Sequence, residues 1–372
     1  MKDTSYRQMV KVSALPTPSA ILEGVTVELA TDKKPWYCDG TTWYDLTATS
    51  AGGGGTPGGS TGDVQFNNGG AFAGAANVEI NNGDLLLLEN ASPVTPSSGV
   101  KLFGNKLANR VLPASVGPSG LDAALQPSTW RKKIGLWTPP GNATTVPGVV
   151  GFNTLTALGT ATARTVATTN LFTRTRRLGY VSAATAAGFA GHYNAAAQFT
   201  TGDGTGLGGF FYSCRFGFSD AATVTGARAF VGLSSLVAAP TNVEPSTLTN
   251  AIGLAQLSTD ATQLYLVYGG SASQAAIALG TNFPPMTAAG IANGVAYDLT
   301  LFSPPNANGV VHYRVERIGT DFVAEGTFSL TTPGTQLPAN TTLLAHRAWR
   351  CNNAQALAVG IDILNVYIET DY

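Results

Sequence analysis

The sequence predicts an all-β protein with three parts: a small N-terminal β-hairpin unit, a slender stalk and a large C-terminal antiparallel β-sandwich. Only 12% of its 372 residues are charged, whereas 44 are glycine. This composition disfavours a helical protein and favours sheets joined by many turns. Short apolar runs recur between turn residues, and several of them alternate with a period of two. Such alternation is typical of antiparallel strands with one buried face.

Residues 1–50 are predicted to form the small N-terminal β unit, and its clearest signal is a hairpin. Asp39-Gly40 lies between the aromatic pairs Trp36-Tyr37 and Trp43-Tyr44. Asp-Gly is a strong hairpin turn, and facing aromatic side chains stabilise a small sheet. The same rings could instead stack on a sugar, but the hairpin core is the favoured interpretation. The Gly-rich segment 51–62 is predicted to be a flexible linker between domains.

Residues 63–145 are predicted to form an intertwined stalk and neck. They hold short strand-like pieces, including the apolar run Leu85–Leu88, and a lone hairpin is only marginally stable in water. The favoured explanation is that three copies of the chain wrap around one axis and bury these residues against one another. Leu121–Leu125 could add one helical turn. The basic cluster Arg131–Lys133, flanked by Trp130 and Trp137, is predicted to lie in the neck, although it could also contact nucleic acid or a membrane surface.

Residues 146–372 are predicted to form the β-sandwich, because short alternating runs recur here between turn signals. In 210–218 the alternate residues Phe210, Tyr212, Cys214, Phe216 and Phe218 share one face. In 312–318, Tyr313, Val315 and Arg317 face opposite to Arg314, Glu316 and Ile318. No segment of this domain predicts a convincing helix.

The sequence contains no motif that predicts catalysis, so we expect no enzyme and no cofactor. His192, His312 and His346 could bind zinc, but three scattered histidines are more often structural. A pair of catalytic carboxylates, as in glycoside hydrolases, is the more specific alternative to a protein without enzymatic activity. The carboxylates considered for that role are Asp203, Asp220, Asp260, Glu316 and Glu325. The three cysteines lack the spacing of a metal pair or a disulfide framework.

Binding is better supported than catalysis. Segment 345–356 gathers the candidate receptor-binding residues His346, Arg347, Trp349, Arg350 and Asn352. Trp and Arg are frequent anchors at binding surfaces, and they could stack on a sugar and bond to its hydroxyls. The alternative places Trp349 in the core and Arg350 in an ion pair between subunits. The segment Arg174–Arg177 could bind an acidic glycan, although pairing with carboxylates of a neighbouring subunit is favoured.

The net charge argues against a nucleic-acid partner, and the hydropathy argues against membrane insertion. The net charge is −1, whereas a nucleic-acid-binding protein needs a basic surface. There is no apolar run of about 18 residues, so no membrane insertion is predicted. Residues 1–20 also lack the pattern of a signal peptide, which predicts that the chain is not secreted by the usual route.

The order of several motifs resembles bacteriophage tail fibres and related virion appendages. "GDVQFNNGGAF" (62–72) resembles their stalk modules, and "PWYCDGTTWYDL" (35–46) is similar to short aromatic hairpins near the start of such proteins. "LANRVLPASVGPSGLDAALQP", "RKKIGLWTPPGNATTVP" and "TRRLGYVSAATAAG" are similar to further fibre segments. "CRFGFSDAATVTGARAFVGLSS" resembles their C-terminal concanavalin- or jelly-roll-like sandwich.

This resemblance implies a homotrimer that is assembled in the host cytoplasm and becomes part of a virion. Its N-terminus would attach to other virion proteins, and the sandwich would bind a host-surface receptor, either a glycan or a protein. Three alternatives remain open at this point. They are a purely structural head, neck or baseplate fibre, a polysaccharide depolymerase, and a secreted bacterial lectin, which the missing signal peptide disfavours.

Overall fold

The computed structural model describes residues 9–47, 58–69, 71–90, 93–94, 96–116, 133–146, 149–286, 295–329 and 332–370. The chain divides between Leu88 and Glu89 into two compact units. Apart from short 3₁₀ turns and one helical turn, the regular structure in these ranges is β-strand, so the chain is an all-β protein. Among the helices in the described ranges, none is long and apolar enough to cross a membrane.

The N-terminal unit begins with a four-stranded sheet in the order β1-β2-β3-β4. The strands are β1 (Val10–Val12), β2 (Thr26–Leu29), β3 (Lys34–Cys38) and β4 (Trp43–Asp45). The predicted aromatic hairpin is confirmed, because β3 and β4 pair with Tyr37 opposite Tyr44. Asp39 closes the turn by accepting hydrogen bonds from the backbone N–H groups of Thr41 (2.8 Å) and Thr42 (2.7 Å).

A three-stranded sheet follows in the same unit. Its strands are β5 (Asp63–Asn68), β6 (Ala71–Asn81) and β7 (Asp84–Leu87). Residues 58–62 are folded against this sheet, since the Gln65 side chain donates to Gly58 O (2.8 Å) and accepts from Gly58 N (3.1 Å). A Cβ on Gly74 would lie 2.4 Å from the Asp63 carboxylate and 2.8 Å from Gly58 O. The glycines therefore permit close packing, and the predicted flexible linker 51–62 is wrong for residues 58–62. Residues 51–57 lie outside the described ranges.

The C-terminal unit starts with a β-hairpin of β8 (Lys101–Leu107) and β9 (Arg110–Val116). Its two-residue turn uses Ala108 (φ 47°) and Asn109 (φ 62°), the left-handed pair that a tight hairpin requires. The predicted helical turn Leu121–Leu125, together with Trp130 and Arg131-Lys132, lies outside the described residues.

Two antiparallel sheets form the sandwich. The eight-stranded sheet has the order β12-β13-β24-β15-β20-β21-β22, with β10 also paired to β24. Its strands are β10 (Lys133–Trp137), β12 (Thr160–Ala163), β13 (Leu178–Val181), β15 (Phe210–Phe218), β20 (Ala296–Ser303), β21 (Val310–Arg317), β22 (Val323–Ser329) and β24 (Gly360–Thr370). The seven-stranded sheet has the order β11-β14-β23-β16-β17-β18-β19. Its strands are β11 (Thr156–Leu158), β14 (Phe189–Tyr193), β16 (Arg228–Ser234), β17 (Ala251–Gln256), β18 (Tyr265–Gly269), β19 (Ile277–Ala278) and β23 (Ala345–Cys351).

The sandwich begins before the predicted boundary between residues 145 and 146. Strand β10 pairs with β24 along its whole length, and Trp137 is 2% exposed in the sandwich core. Lys133 and Trp137 therefore belong to the sandwich sheet, and the prediction that they lie in the neck is wrong. One helical turn, α1 (Leu171–Arg174), crosses between β12 and β13 and is capped by Asn170.

The core lies between the two sheets. Alternate residues of β15, from Phe210 to Phe218, point into it as the period-two pattern predicts. Cross-strand neighbours on β20 and β24 contribute Leu299, Leu301 and Val366. The intervening residues of β15 therefore face outward, and they are the ones that can shape a surface site.

Candidate functional site

The five predicted receptor-binding residues are buried, and they do not form a surface patch. His346, Arg347, Trp349, Arg350 and Asn352 are each at most 2% exposed. Four of them lie on β23, a central strand with β14 and β16 on either side. Alternation sends His346 and Arg350 between the sheets and Arg347 and Trp349 to the outer face. The sequence interpretation is therefore wrong for a rigid binding surface, because both faces of β23 are covered.

His346 belongs to a buried hydrogen-bond chain that links the two sheets. Tyr180 Oη lies 3.1 Å from His192 Nδ1, His192 Nε2 lies 2.9 Å from His346 Nε2, and His346 Nδ1 lies 3.0 Å from Tyr212 Oη. Each neutral imidazole has one donor and one acceptor. All three hydrogen bonds can therefore form when the donors point the same way along the chain, from Tyr180 to Tyr212 or the reverse. Burial lowers the pKa of His192 to about 3 and the pKa of His346 well below its ordinary value. Both rings are therefore neutral at pH 7.

Arg350 forms an ion pair within the chain, not between subunits. Its Nε and Nη2 donate to Asp220 at 2.7 and 2.5 Å, and its Nη1 donates to Gln256 Oε1 at 2.7 Å. The guanidinium lies 4.3 Å above the Phe218 ring. Gly360 N also donates to Asp220, at 2.8 Å. Both charges are thus matched inside the sandwich, which is the arrangement that a buried pair requires.

Arg347, Trp349 and Asn352 hold loops in place. Arg347 Nη2 donates to Ala238 O at 2.6 Å, which fixes the loop after β16 over the outer face of the sheet. Burial lowers the pKa of Arg347 to about 10. The Trp349 ring packs edge-on against Phe189 at 5.5 Å. The Asn352 side chain donates to Leu357 O and accepts from Gly188 N.

The Arg174–Arg177 segment also pairs within the chain. Arg177 is 4% exposed and donates from Nε to Asp362 at 3.1 Å. Arg164 and Ser219 donate to the same carboxylate. This cluster anchors the segment around α1, so the predicted pairing of Arg177 with a neighbouring subunit is wrong.

The candidate site is instead a cavity of about 290 Å³ on the outer face of the eight-stranded sheet. Strand register builds it. Ser213 on β15 lies opposite Thr300 on β20 and opposite Tyr367 on β24, and Thr300 lies opposite Arg314 on β21. Directly opposite residues share one face of a sheet. Two small hydroxyl side chains therefore form a floor between a tyrosine and an arginine, and we call this cavity the trough.

The two ends of the trough differ in chemistry. At one end lie Phe211 and Leu107, the latter from the hairpin of β8 and β9. At the other end lie Asp298 and Glu316, which face each other across β20 and β21. A site with an apolar end, a hydroxyl floor and a charged end is suited to a ligand with both apolar and hydroxylated surfaces.

Ion pairs hold the charged side chains of the trough in place. Arg215 forms a bidentate pair with Asp298, with Nε–Oδ1 at 2.7 Å and Nη2–Oδ2 at 2.5 Å. Arg314 donates from Nη1 to Glu316 at 2.6 Å, and its Nε lies 3.7 Å from Glu325. Bidentate geometry restricts both partners, so the polar groups around the trough are oriented before a ligand arrives.

The other carboxylates considered for catalysis have structural roles. Asp203 accepts from Thr205 and Leu207 in its own loop, and Asp260 accepts from Thr262 and Tyr265. These hydrogen bonds lower the pKa of both carboxyl groups. Within the described part of the chain, no group of three or more His, Cys, Asp or Glu side chains could hold a metal ion.

The sequence signal for the trough was present but incomplete. Alternation in 312–318 places Arg314 and Glu316 on the face opposite Val315, as predicted, and Val315 is buried. However, Ser213, Thr300 and Tyr367 come from three distant segments. Their meeting depends on the register of long-range strand pairs, which alternation within one strand cannot give.

Comparisons with known proteins find only distant structural similarity. No known family matches the chain, and no curated protein matches its sequence. Lectin II from Ulex europaeus matches with a TM-score of 0.41 and 13% identity, covering 65% of this chain and 100% of the lectin. Peanut lectin matches with a TM-score of 0.39 and 10% identity, covering 64% and 97%. The CBM2 module of the evolved Dit of Lactobacillus casei BL23 phage J-1 matches with a TM-score of 0.34 and 15% identity. The match covers 65% of this chain and 92% of the module. At such low identity and TM-score, these likenesses carry no functional conclusion.

Proposed function

We propose that this chain is a homotrimeric, non-enzymatic fibre protein of a bacteriophage virion that binds a host-surface glycan through the trough. The observation that carries the binding role is the trough itself. It combines a hydroxyl floor, a tyrosine wall and pre-oriented charged side chains on a rigid sheet. Sugars present hydroxyl groups beside apolar ring faces, and a site of this composition complements both.

The virion role rests on the order of fibre-like motifs in the sequence. In this proposal the N-terminal unit attaches to other virion proteins, and the sandwich carries the receptor site. The tail is the favoured place of attachment. A head, neck or baseplate fibre would share the same motifs but would need no receptor.

The apolar surface of the three-stranded sheet supports the homotrimer. Phe66, Phe72, Ile80 and Leu85 are 47%, 49%, 51% and 62% exposed in the single chain. Ile80 and Leu85 lie directly opposite each other and share one face, whereas Phe66, opposite Ala73, faces away from Phe72. Exposed apolar groups mark interaction sites, and in this proposal two further copies of the chain cover both faces of the sheet. A trimer also multiplies weak sites, so that avidity exceeds the affinity of one trough.

Two measurements test the proposal. Light scattering on the purified full chain should give a mass near three times 38.2 kDa, and a folded monomer would contradict the trimer. Purified protein should also compete with phage adsorption to its host. A trimer that binds cells and releases no reducing sugar from their polysaccharide fits a binding fibre. A trimer that never competes indicates the purely structural alternative, and release of reducing sugar indicates the depolymerase.

A further inference from the structure

We infer that the trough selects an uncharged sugar residue and rejects acidic sugars such as uronic acids. This inference rests on the proposed glycan-binding role and deepens it, because it names the class of sugar. It is carried by three features: the size of the cavity, the small side chains on its floor and the balance of charge around it.

Size and shape suit one sugar ring. Ligand-binding cavities begin at about 300 Å³, and the trough is close to that lower limit at about 290 Å³. Thr300 is 5% exposed, whereas Ser213 is only partly buried, so Ser213 is the more accessible hydroxyl of the floor. Tyr367 and Arg314 lie on opposite sides of Ser213 and Thr300, and a pyranose ring lying between them would direct hydroxyl groups toward the floor.

The charges around the trough oppose a negative ligand. Three carboxylates, on Asp298, Glu316 and Glu325, accompany two guanidinium groups, on Arg215 and Arg314. Each guanidinium is already paired with a carboxylate, so the positive charges beside the trough are compensated before an acidic sugar arrives. Placing like charges together without compensation is unfavourable.

The neighbouring charges do not change this balance. Beyond Phe211, Arg110 and Glu369 form an ion pair with side chains only 12% and 4% exposed. His312, on the other side of Phe302 in the same row, is neutral at pH 7, because burial and then the charge of Lys106 lower its pKa. Lys106 itself pairs with Glu89 at 3.3 Å, so these neighbouring groups leave the net charge near the trough unchanged.

The paired side chains can still bind hydroxyl groups. A guanidinium has five N–H donors, and the described contacts of Arg314 use Nε and Nη1. Its Nη2 donors can reach a ligand hydroxyl, while the carboxylate oxygens of Asp298 and Glu316 can accept from one. A hydroxyl group both donates and accepts, whereas a carboxylate only accepts. Neutral sugars therefore match the trough and acidic sugars do not.

The test is binding of the full-length protein to matched pairs of immobilised sugars. Glucose with glucuronic acid and galactose with galacturonic acid, each on the same linker, provide the probes. We expect binding to one or more neutral members and at least about tenfold weaker binding to the acidic partner. Preferential binding to an acidic member overturns the inference but leaves the glycan-binding role. Failure to bind any surface or host polysaccharide overturns both.

A pair of variants locates the binding. Ser213→Trp fills the floor of the trough from an outward-facing position and should abolish binding. Thr156→Trp makes the same change at an exposed position on an edge strand of the other sheet and should leave binding intact. Melting curves of both variants show whether each is folded. Equal binding by a folded Ser213→Trp variant contradicts the assignment to the trough.

Asp298→Asn tests the charge argument independently. Removing this carboxylate leaves Arg215 without the partner of its bidentate pair. The net charge around the trough then becomes more positive by one. Affinity for the acidic member of each pair should then rise relative to the neutral member. An unchanged ratio in a folded protein contradicts selection by charge.

Discussion

The three-stranded sheet of β5–β7 and the C-terminal sandwich differ in how far they bury their aromatic side chains. In the sandwich, aromatic side chains such as Phe210, Phe216 and Phe218 are at most 2% exposed. In the small sheet, Phe66 and Phe72 remain about half exposed. The difference is one of size, because two packed sheets enclose a core and a single three-stranded sheet cannot. The sandwich therefore buries its own apolar side chains, whereas the small sheet leaves its large apolar side chains exposed in the single chain.

The largest expected effect is a loss of stability of the sandwich when a buried ion pair is broken. Asp220→Asn removes the charge that compensates Arg350, whose side chain is 3% exposed. Removing one partner of a buried pair costs about 3–5 kcal/mol. Denaturant unfolding should show this loss in the free energy of unfolding of the sandwich. A loss below about 1 kcal/mol would mean that water reaches the pair.

The second-largest effect is expected from acid, which should destabilise the sandwich more than the three-stranded sheet. His192, His312 and His346 all lie in the sandwich, and the pKa of each is lowered in the folded protein. The unfolded chain then binds more protons between the ordinary pKa of 6.5 and about 3, the folded value of His192. The free energy of unfolding of the sandwich is therefore highest above pH 6.5. It falls as the pH drops, by roughly 1.4 kcal/mol per pH unit for each fully titrating histidine.

Unfolding at pH 7.5, 6, 5 and 4.5 measures this trend, and proton uptake on unfolding checks it without a variant. The carboxylates with lowered pKa, such as Asp39 at about 2, lose their contribution only below pH 3.8 and do not interfere. Constant stability of the sandwich from pH 7.5 to 4.5 would show that the histidines are not buried as neutral groups.

The proposed burial of the small sheet by further copies of the chain is tested by Leu85→Glu. Leu85 is 62% exposed in the single chain. If further copies cover it, each copy loses about 1.5–3 kcal/mol of apolar burial and the trimer should dissociate on light scattering, with the sandwich transition unchanged. Leu357→Glu, at a position 46% exposed in the sandwich, is the matched control and should leave the mass unchanged. Identical masses for both variants would argue against the stalk interface.

The smallest effect is expected at the surface of the N-terminal unit. Lys34 Nζ lies 2.7 Å from Asp45 in an exposed pair between β3 and β4. Exposed pairs contribute little, because solvent screens them. Lys34→Gln should leave both the melting temperature and the oligomeric mass within experimental error. A clear loss of trimer would place this pair in an interface.

Residues 345–356 show where sequence reasoning failed. The mixture of Trp, Arg and Asn predicts a binding surface, yet each of the five predicted binding residues is buried. Alternation on β23 was visible in the sequence, but a distant loop covers its outer face through the bond of Arg347 to Ala238. Asp220, the partner of Arg350, also comes from a distant segment. Neither contact leaves a local pattern.

The sequence alone determined the all-β class, the aromatic hairpin and the inward face of β15. These features follow from local rules, namely turn residues and the period of two along a strand. Only the tertiary structure decided that the segment from residue 58 packs on a sheet, that β10 belongs to the sandwich and that Ser213, Thr300, Tyr367 and Arg314 form one trough. Those outcomes depend on register and close approach between distant segments, and such contacts are fixed by packing of the whole chain and not by any short stretch of it.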